Sequence, residues 1–147
     1  MKKTSILGLF LLITGAFAQA QILQPVTWSY AAKRFNKNEV TVYLKATMEP
    51  GWHIYSTQQK EGGPIKTSFE FDKKGYQLIG TITEPKPVSK FEKAFEMDVM
   101  YFDSSVVFSQ KVRLPGSGTV RGNLTYMTCN DQKCLPPETI AFSVPVK

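Results

Sequence analysis

Ten consecutive residues, Glu39–Met48 (EVTVYLKATM), place Val40, Val42, Leu44 and Ala46 on one side of the chain and Thr41, Tyr43, Lys45 and Thr47 on the other. A period of two sustained this long predicts a half-buried strand and is incompatible with a helix, whose apolar positions recur every three to four residues. Strand-like segments follow at Trp52–Tyr55, after the Pro50-Gly51 turn, and at Lys66–Phe71, Tyr76–Thr83, Ser105–Leu114, Thr119–Thr128 and Thr139–Val146. Turn clusters such as Pro115-Gly116-Ser117-Gly118 separate them. No segment carries a helical apolar stripe. Roughly seven or eight short strands between Gly/Pro turns predict an all-β chain folded as an antiparallel β-sandwich. Glu84–Phe95 (EPKPVSKFEKAF) reads as the one long irregular stretch, because Pro85 and Pro87 exclude a central strand there. Long ordered loops of this kind often carry function.

The N-terminus reads as an address. Lys2 and Lys3 precede an uncharged apolar run, Ile6–Ala18, followed by small residues at A-x-A spacing, Ala16-Phe17-Ala18 or Ala18-Gln19-Ala20. This pattern predicts a cleaved secretory signal peptide over residues 1–20 and a single domain over residues 21–147. An apolar run of about 13 residues falls short of the roughly 20 that a membrane span requires. Export places the domain in an oxidising compartment, where disulfides persist. The formal charge of +6 includes Lys2 and Lys3. The remaining basic residues are scattered, without a basic run interleaved with aromatics, so no nucleic-acid surface is expected.

Only two cysteines are present, Cys129 and Cys134, within Tyr126–Thr139 (YMTCNDQKCLPPET). They lie at the end of one expected strand and the start of the next. Asn130-Asp131 is a turn former between them, and Pro136-Pro137 stiffen the chain beyond. A hairpin there can bring the two Cα atoms within disulfide range, about 4.4–6.8 Å. Closing a loop of about six residues stabilises by roughly 2 kcal/mol, against about 4.7 for a 100-residue loop. The pair is therefore a weak staple, expected to sit exposed at a domain end where a partner thiolate can reach it.

Spacing alone leaves three uses open. The pair is a redox centre, or a structural bond in a non-enzymatic binding sandwich, or a soft-metal site for Cu(I) with His53 and a Met (Met97, Met100 or Met127). No clustered Met/His motif accompanies the third. His53, the one histidine, is either a hydrogen-bonded strand residue or a group that raises thiolate content. Asp131 and Glu138 are solvated carboxylates or proton handlers.

The run CNDQKCLPPET resembles the active-site hairpin of the N-terminal periplasmic domain of the thiol:disulfide interchange protein DsbD family, and Pro50-Gly51-Trp52-His53-Ile54-Tyr55 is similar to that family's turn and aromatic strand. The resemblance covers essentially the whole chain after the leader. It implies an immunoglobulin-like antiparallel β-sandwich and a periplasmic thiol–disulfide oxidoreductase, a protein-disulfide reductase component. Its working group would be the redox-active Cys129–Cys134 disulfide, with no metal or other cofactor. Cys134 corresponds to the cysteine that forms mixed disulfides, and Cys129 to the resolving thiol. A cap-loop phenylalanine maps onto Phe95 or, second, Phe91. His53, Tyr55, Asp131, Glu138, Pro136 and Pro137 would be supporting residues, with His53 where the family usually has Tyr. The implied partners are a separate membrane-embedded thiol reductase of the DsbD/CcdA type and oxidised periplasmic thioredoxin-like or disulfide-isomerase proteins.

Overall fold

The computed structural model describes residues 22–147. The signal peptide expected over residues 1–20 lies outside them. Among the described residues there is no helix, and therefore none long and apolar enough to cross a membrane.

Eleven strands form three antiparallel sheets. The first sheet has the order β1-β2-β8-β5, built from β1 (Val26–Arg34), β2 (Glu39–Met48), β8 (Ser105–Arg113) and β5 (Gln77–Thr83). The second has the order β11-β9-β4, from β11 (Glu138–Val146), β9 (Gly118–Tyr126) and β4 (Ser68–Phe71). The third has the order β10-β3-β7-β6, from β10 (Thr128–Cys129), β3 (His53–Tyr55), β7 (Met97–Asp103) and β6 (Val88–Glu92). The architecture is the immunoglobulin-like all-β sandwich that the alternation and the resemblance imply.

Register explains the packing. Residues opposite one another in an antiparallel pair share a face. Tyr30 faces Leu44, which faces Phe108, so one row crosses three strands. On the opposing sheet, Ile140 faces Leu124, and Val144 faces Val120. The two inner faces meet through Trp28, whose ring lies 6.0 Å from Phe108, 6.2 Å from Phe69 and 5.5 Å from Tyr126. Tyr30 closes on Phe142 at 6.0 Å. Such aromatic pairs add to the area they bury.

Two strands extend the sequence reading. Val26–Arg34 and Met97–Asp103 are strands that its segments do not include. The supposedly irregular stretch contains β6, paired with β7. Pro85 and Pro87 precede it, and β6 is an edge strand of its sheet, so no ladder hydrogen bond is lost. The single segment Thr119–Thr128 is instead two strands, β9 and β10, in different sheets. The far end of the sandwich is tied by Arg34, whose guanidinium donates to the carbonyls of Leu114 (2.9 Å), Lys37 (3.3 Å) and Gly116.

Gly122 is required by close approach. A Cβ there would collide with the Glu70 carbonyl and the Phe142 ring, because β9 runs between β4 and β11 at this point. Gly122→Ala is expected to destabilise the domain by about 1–3 kcal/mol, read as a lower urea midpoint with an unchanged slope.

Candidate functional site

The third sheet has two apolar faces, and alternation decides which residue serves which. In β3, Ile54 points into the main core, while His53 and Tyr55 point the other way. In β7, Phe102 joins the main core, whereas Val99 and Tyr101 turn to the opposite face. Register then gathers the second face: Cys129 opposite His53, His53 opposite Asp103, and Tyr55 opposite Tyr101. A separate apolar cluster results, made of the buried Tyr55, Val99 and Cys129 with Phe95, Met97, Tyr101 and Met127 packed against it.

Cys129 and Cys134 form a disulfide across a tight hairpin. The Asn130 N–H donates to the Lys133 carbonyl, and the Leu135 N–H donates to the Thr128 carbonyl, each at 2.9 Å. These bonds flank the cysteines, which therefore occupy a non-hydrogen-bonded pair, the position where Cα atoms come closest. Their Cα separation is 4.0 Å, shorter than the range of about 4.4–6.8 Å expected from sequence, as the close approach of a non-hydrogen-bonded pair allows. The turn is held by Asn130, whose Oδ1 accepts from the backbone N–H groups of Gln132 (2.9 Å) and Lys133 (2.8 Å).

The pair is not uniformly exposed, as its place at a domain end suggests. Cys134 is exposed, but Cys129 is 0% exposed. The reason is topological: Cys129 belongs to a sheet and faces its apolar cluster, whereas Cys134 lies beyond the turn.

His53 bridges this cluster and solvent. Its Nε2 lies 3.1 Å from the Tyr55 hydroxyl, and its ring packs 5.0 Å from Tyr101. Burial holds the imidazole pKa below its ordinary value, against the nearby Glu92, Asp131 and Asp103 carboxylates, which favour the charged form. Burial also pushes the Tyr55 phenol far above its usual range, with the Glu92 charge adding to the effect, so Tyr55 stays protonated at neutral pH. A cavity of about 550 Å³ opens beside His53, lined among others by Trp52, Lys90, Glu92, Asp103 and Asp131.

The remaining expected residues separate. Phe95 packs against the Cys129 cluster from the turn between β6 and β7, where its N–H donates to the Glu92 carbonyl at 3.1 Å. Phe91 is paired with Asp98, on the face of β6 opposite to Lys90 and Glu92, and is 60% exposed. Asp131 sits exposed in the hairpin and lines the cavity. Glu138 is drawn elsewhere: it accepts from the Tyr126 hydroxyl at 2.7 Å, beside the main core. Pro136 and Pro137 are exposed. Among the described residues, no three His, Cys, Asp or Glu side chains converge as metal ligands.

Tyr101, Met97, Met127, Lys90 and Glu92 complete the surroundings; the sequence reading does not single out Tyr101, Lys90 or Glu92, and names Met97 and Met127 only as soft-metal candidates. Their signal was the alternation Met97, Val99, Tyr101, masked by the apolar triplet Met100-Tyr101-Phe102.

A two-layered immunoglobulin-like domain with an asymmetric cross-strand disulfide defines the class of protein. The family model described as "Thiol:disulfide interchange protein DsbD, N-terminal" matches residues 19–145, and the chain belongs to that family. A search of curated protein sequences finds no match. Among solved structures, the N-terminal periplasmic domain of ScsB from Proteus mirabilis is similar with a TM-score of 0.60 and 20% identity, over 84% of this chain and 47% of that one. The chain thus spans about half the length of that structure. The DsbD N-terminal domain from Neisseria meningitidis in its reduced form matches with a TM-score of 0.55 and 16% identity, over 80% of this chain and 84% of that one. The complex of the DsbD and PilB N-terminal domains from the same organism matches with a TM-score of 0.55 and 14% identity, over 84% of this chain and 87% of that one. At these identities the structures share the fold.

The asymmetry has a direct chemical readout. After reduction, Cys134 is expected to be alkylated by iodoacetamide well before Cys129, which becomes reactive only on unfolding. Mass mapping of singly labelled protein checks the order. Losing the bond should cost about 2 kcal/mol or less, so the reduced domain remains folded by circular dichroism.

Proposed function

We propose that this domain is a periplasmic thiol–disulfide exchange module, an oxidoreductase component that accepts electrons from a membrane-embedded thiol reductase of the DsbD/CcdA type. It passes them through Cys129 and Cys134 to oxidised periplasmic proteins of thioredoxin-like or disulfide-isomerase type. Export by a cleaved signal peptide over residues 1–20 belongs to the same reading, with residues 21–147 as the working domain. The disulfide is the only redox group it requires.

One observation carries the proposal: a disulfide outside the main core that joins an exposed cysteine to a buried one. Cys134 is the exposed member, where a mixed disulfide forms, while Cys129 waits within the cluster to resolve it. Family membership supports the reading, as does the partner complex of the Neisseria domain. Phe95 serves as the cap. It packs with the Cys129 cluster from a short turn, so displacing it would uncover the pair without disturbing the main core.

The reduction potential of the pair is expected between about −180 and −270 mV, the range of exchange proteins. A value below about −300 mV in glutathione or dithiothreitol buffers would leave only a structural bond. Cys129→Ser is expected to hold a periplasmic partner as a mixed disulfide on Cys134, and Cys134→Ser to hold none. Phe95→Ala is expected to speed reduction of the disulfide by a small thiol several-fold, with an unchanged melting temperature marking the effect as one of access.

A further inference from the structure

The buried cysteine poses a proton problem. For electrons to leave the domain, the Cys134 thiolate attacks a partner disulfide. An S–S bond to Cys134 forms, and one partner sulfur leaves as thiolate. Cys129 must then attack the Cys134 sulfur, but at 0% exposure its thiol is far from bulk water. Burial in an apolar cluster disfavours a thiolate and slows this step. A base on the same face is needed.

Resting on the exchange function above, we infer that His53 is the proton acceptor for Cys129 in the resolving step, linking the buried thiol to the cavity that His53 lines. His53 is the register partner of Cys129, so the two side chains project from adjacent strands on one face, with Cβ atoms expected about 5 Å apart. Its ring is oriented from two sides, by the Tyr55 hydroxyl at 3.1 Å and the Tyr101 ring at 5.0 Å. Its other side lines the cavity, together with Asp131 and Glu92. It is also the one histidine of the chain.

The step balances. The Cys129 S–H bond breaks and an N–H bond forms on the imidazole. The Cys129 sulfur forms the S–S bond to Cys134, and the Cys134–partner bond breaks, with the partner leaving as thiolate. Two electrons pass from the dithiol to the partner disulfide, and His53 then releases its proton to water in the cavity.

The charge environment suits a base. The groups facing His53 are Glu92 and Lys90 from β6, Asp103 and the Tyr101 ring from β7, Asp131 from the hairpin, and the Tyr55 hydroxyl on its own strand. Desolvation outweighs the carboxylates and lowers the imidazole pKa, so the neutral, accepting form persists below the ordinary value of about 6.5. The acid limb of the resolving rate is therefore expected below about pH 6.5.

The test separates the two thiol steps. The fully reduced exported protein is mixed with a dithiobis-nitrobenzoate reagent in a stopped-flow instrument. The first burst of released chromophore reports loading of Cys134; the second reports resolution by Cys129. In the wild type, the second phase should rise through one ionisation on the acid side and then level. His53→Gln should slow that phase by about 100-fold at neutral pH and abolish the acid limb, leaving the first phase unchanged. Added imidazole should restore part of the second phase in His53→Ala, which a purely structural role would not allow. An unchanged second phase and pH profile in His53→Gln, or His53→Ala slowed without imidazole rescue, overturns the inference. A wild type that releases chromophore normally but neither reduces nor traps a periplasmic partner sinks the exchange function instead, and leaves the proton step measurable.

Discussion

The arrangement depends on a sheet that is apolar on both sides. Ile54 and Phe102 are driven into the main core, and that burial sets the register of β3 against β7. A one-residue slip would carry His53 and Tyr55 into the core and Ile54 out of it, so the register is strongly enforced. The functional constellation is then a by-product of core packing. Whatever lies at alternate positions on β3, β7 and β10 must meet on the second face. There His53, Tyr55, Tyr101 and Cys129 are brought together.

The same geometry explains why the disulfide contributes little to the fold. A bond across one hairpin removes only the entropy of a very short loop, about 2 kcal/mol. The main core is assembled from residues of all three sheets and does not include either cysteine. The bond can therefore open and close while the sandwich persists. Its two sulfurs differ in cost as leaving groups. A thiolate on Cys134 is solvated, whereas one on Cys129 must be neutralised or stabilised within an apolar cluster. Attack at the exposed Cys134 makes the buried Cys129 the leaving group, so in the proposed exchange it is access, not leaving-group quality, that selects Cys134, and the charge on Cys129 must be neutralised as it leaves.

Legibility in the sequence tracked the cleanliness of alternation. Glu39–Met48 alternates through an apolar row and is a strand over those same bounds. Met97–Asp103 is equally a strand, but Met100, Tyr101 and Phe102 are consecutive large apolar residues because both faces are covered. Two-sided burial erases the period of two. The hairpin and its Asn130 turn were visible from local chemistry, whereas Phe95, which packs against the Cys129 cluster, came only from the family resemblance. The burial of Cys129 was not legible, since it depends on β10 leaving β9 to join a different sheet. Glu138 follows the same logic: its nearness in sequence to Cys134 says nothing of the cross-strand partner Tyr126, which claims its carboxylate.

Structures sharing 14–20% identity with this chain retain its fold. Such low identity is compatible with one fold because alternation and register, more than particular side chains, specify a sandwich. The main core tolerates exchange among apolar residues of similar volume. The second-face positions that border the cavity, His53, Lys90, Glu92 and Asp103, are freer still, because they are only partly buried or exposed. Chemistry can therefore be retuned there without touching the scaffold. A titratable imidazole opposite the buried cysteine lies within that freedom. It alters the proton path of the disulfide while leaving untouched the Ile54 and Phe102 contacts that set the register.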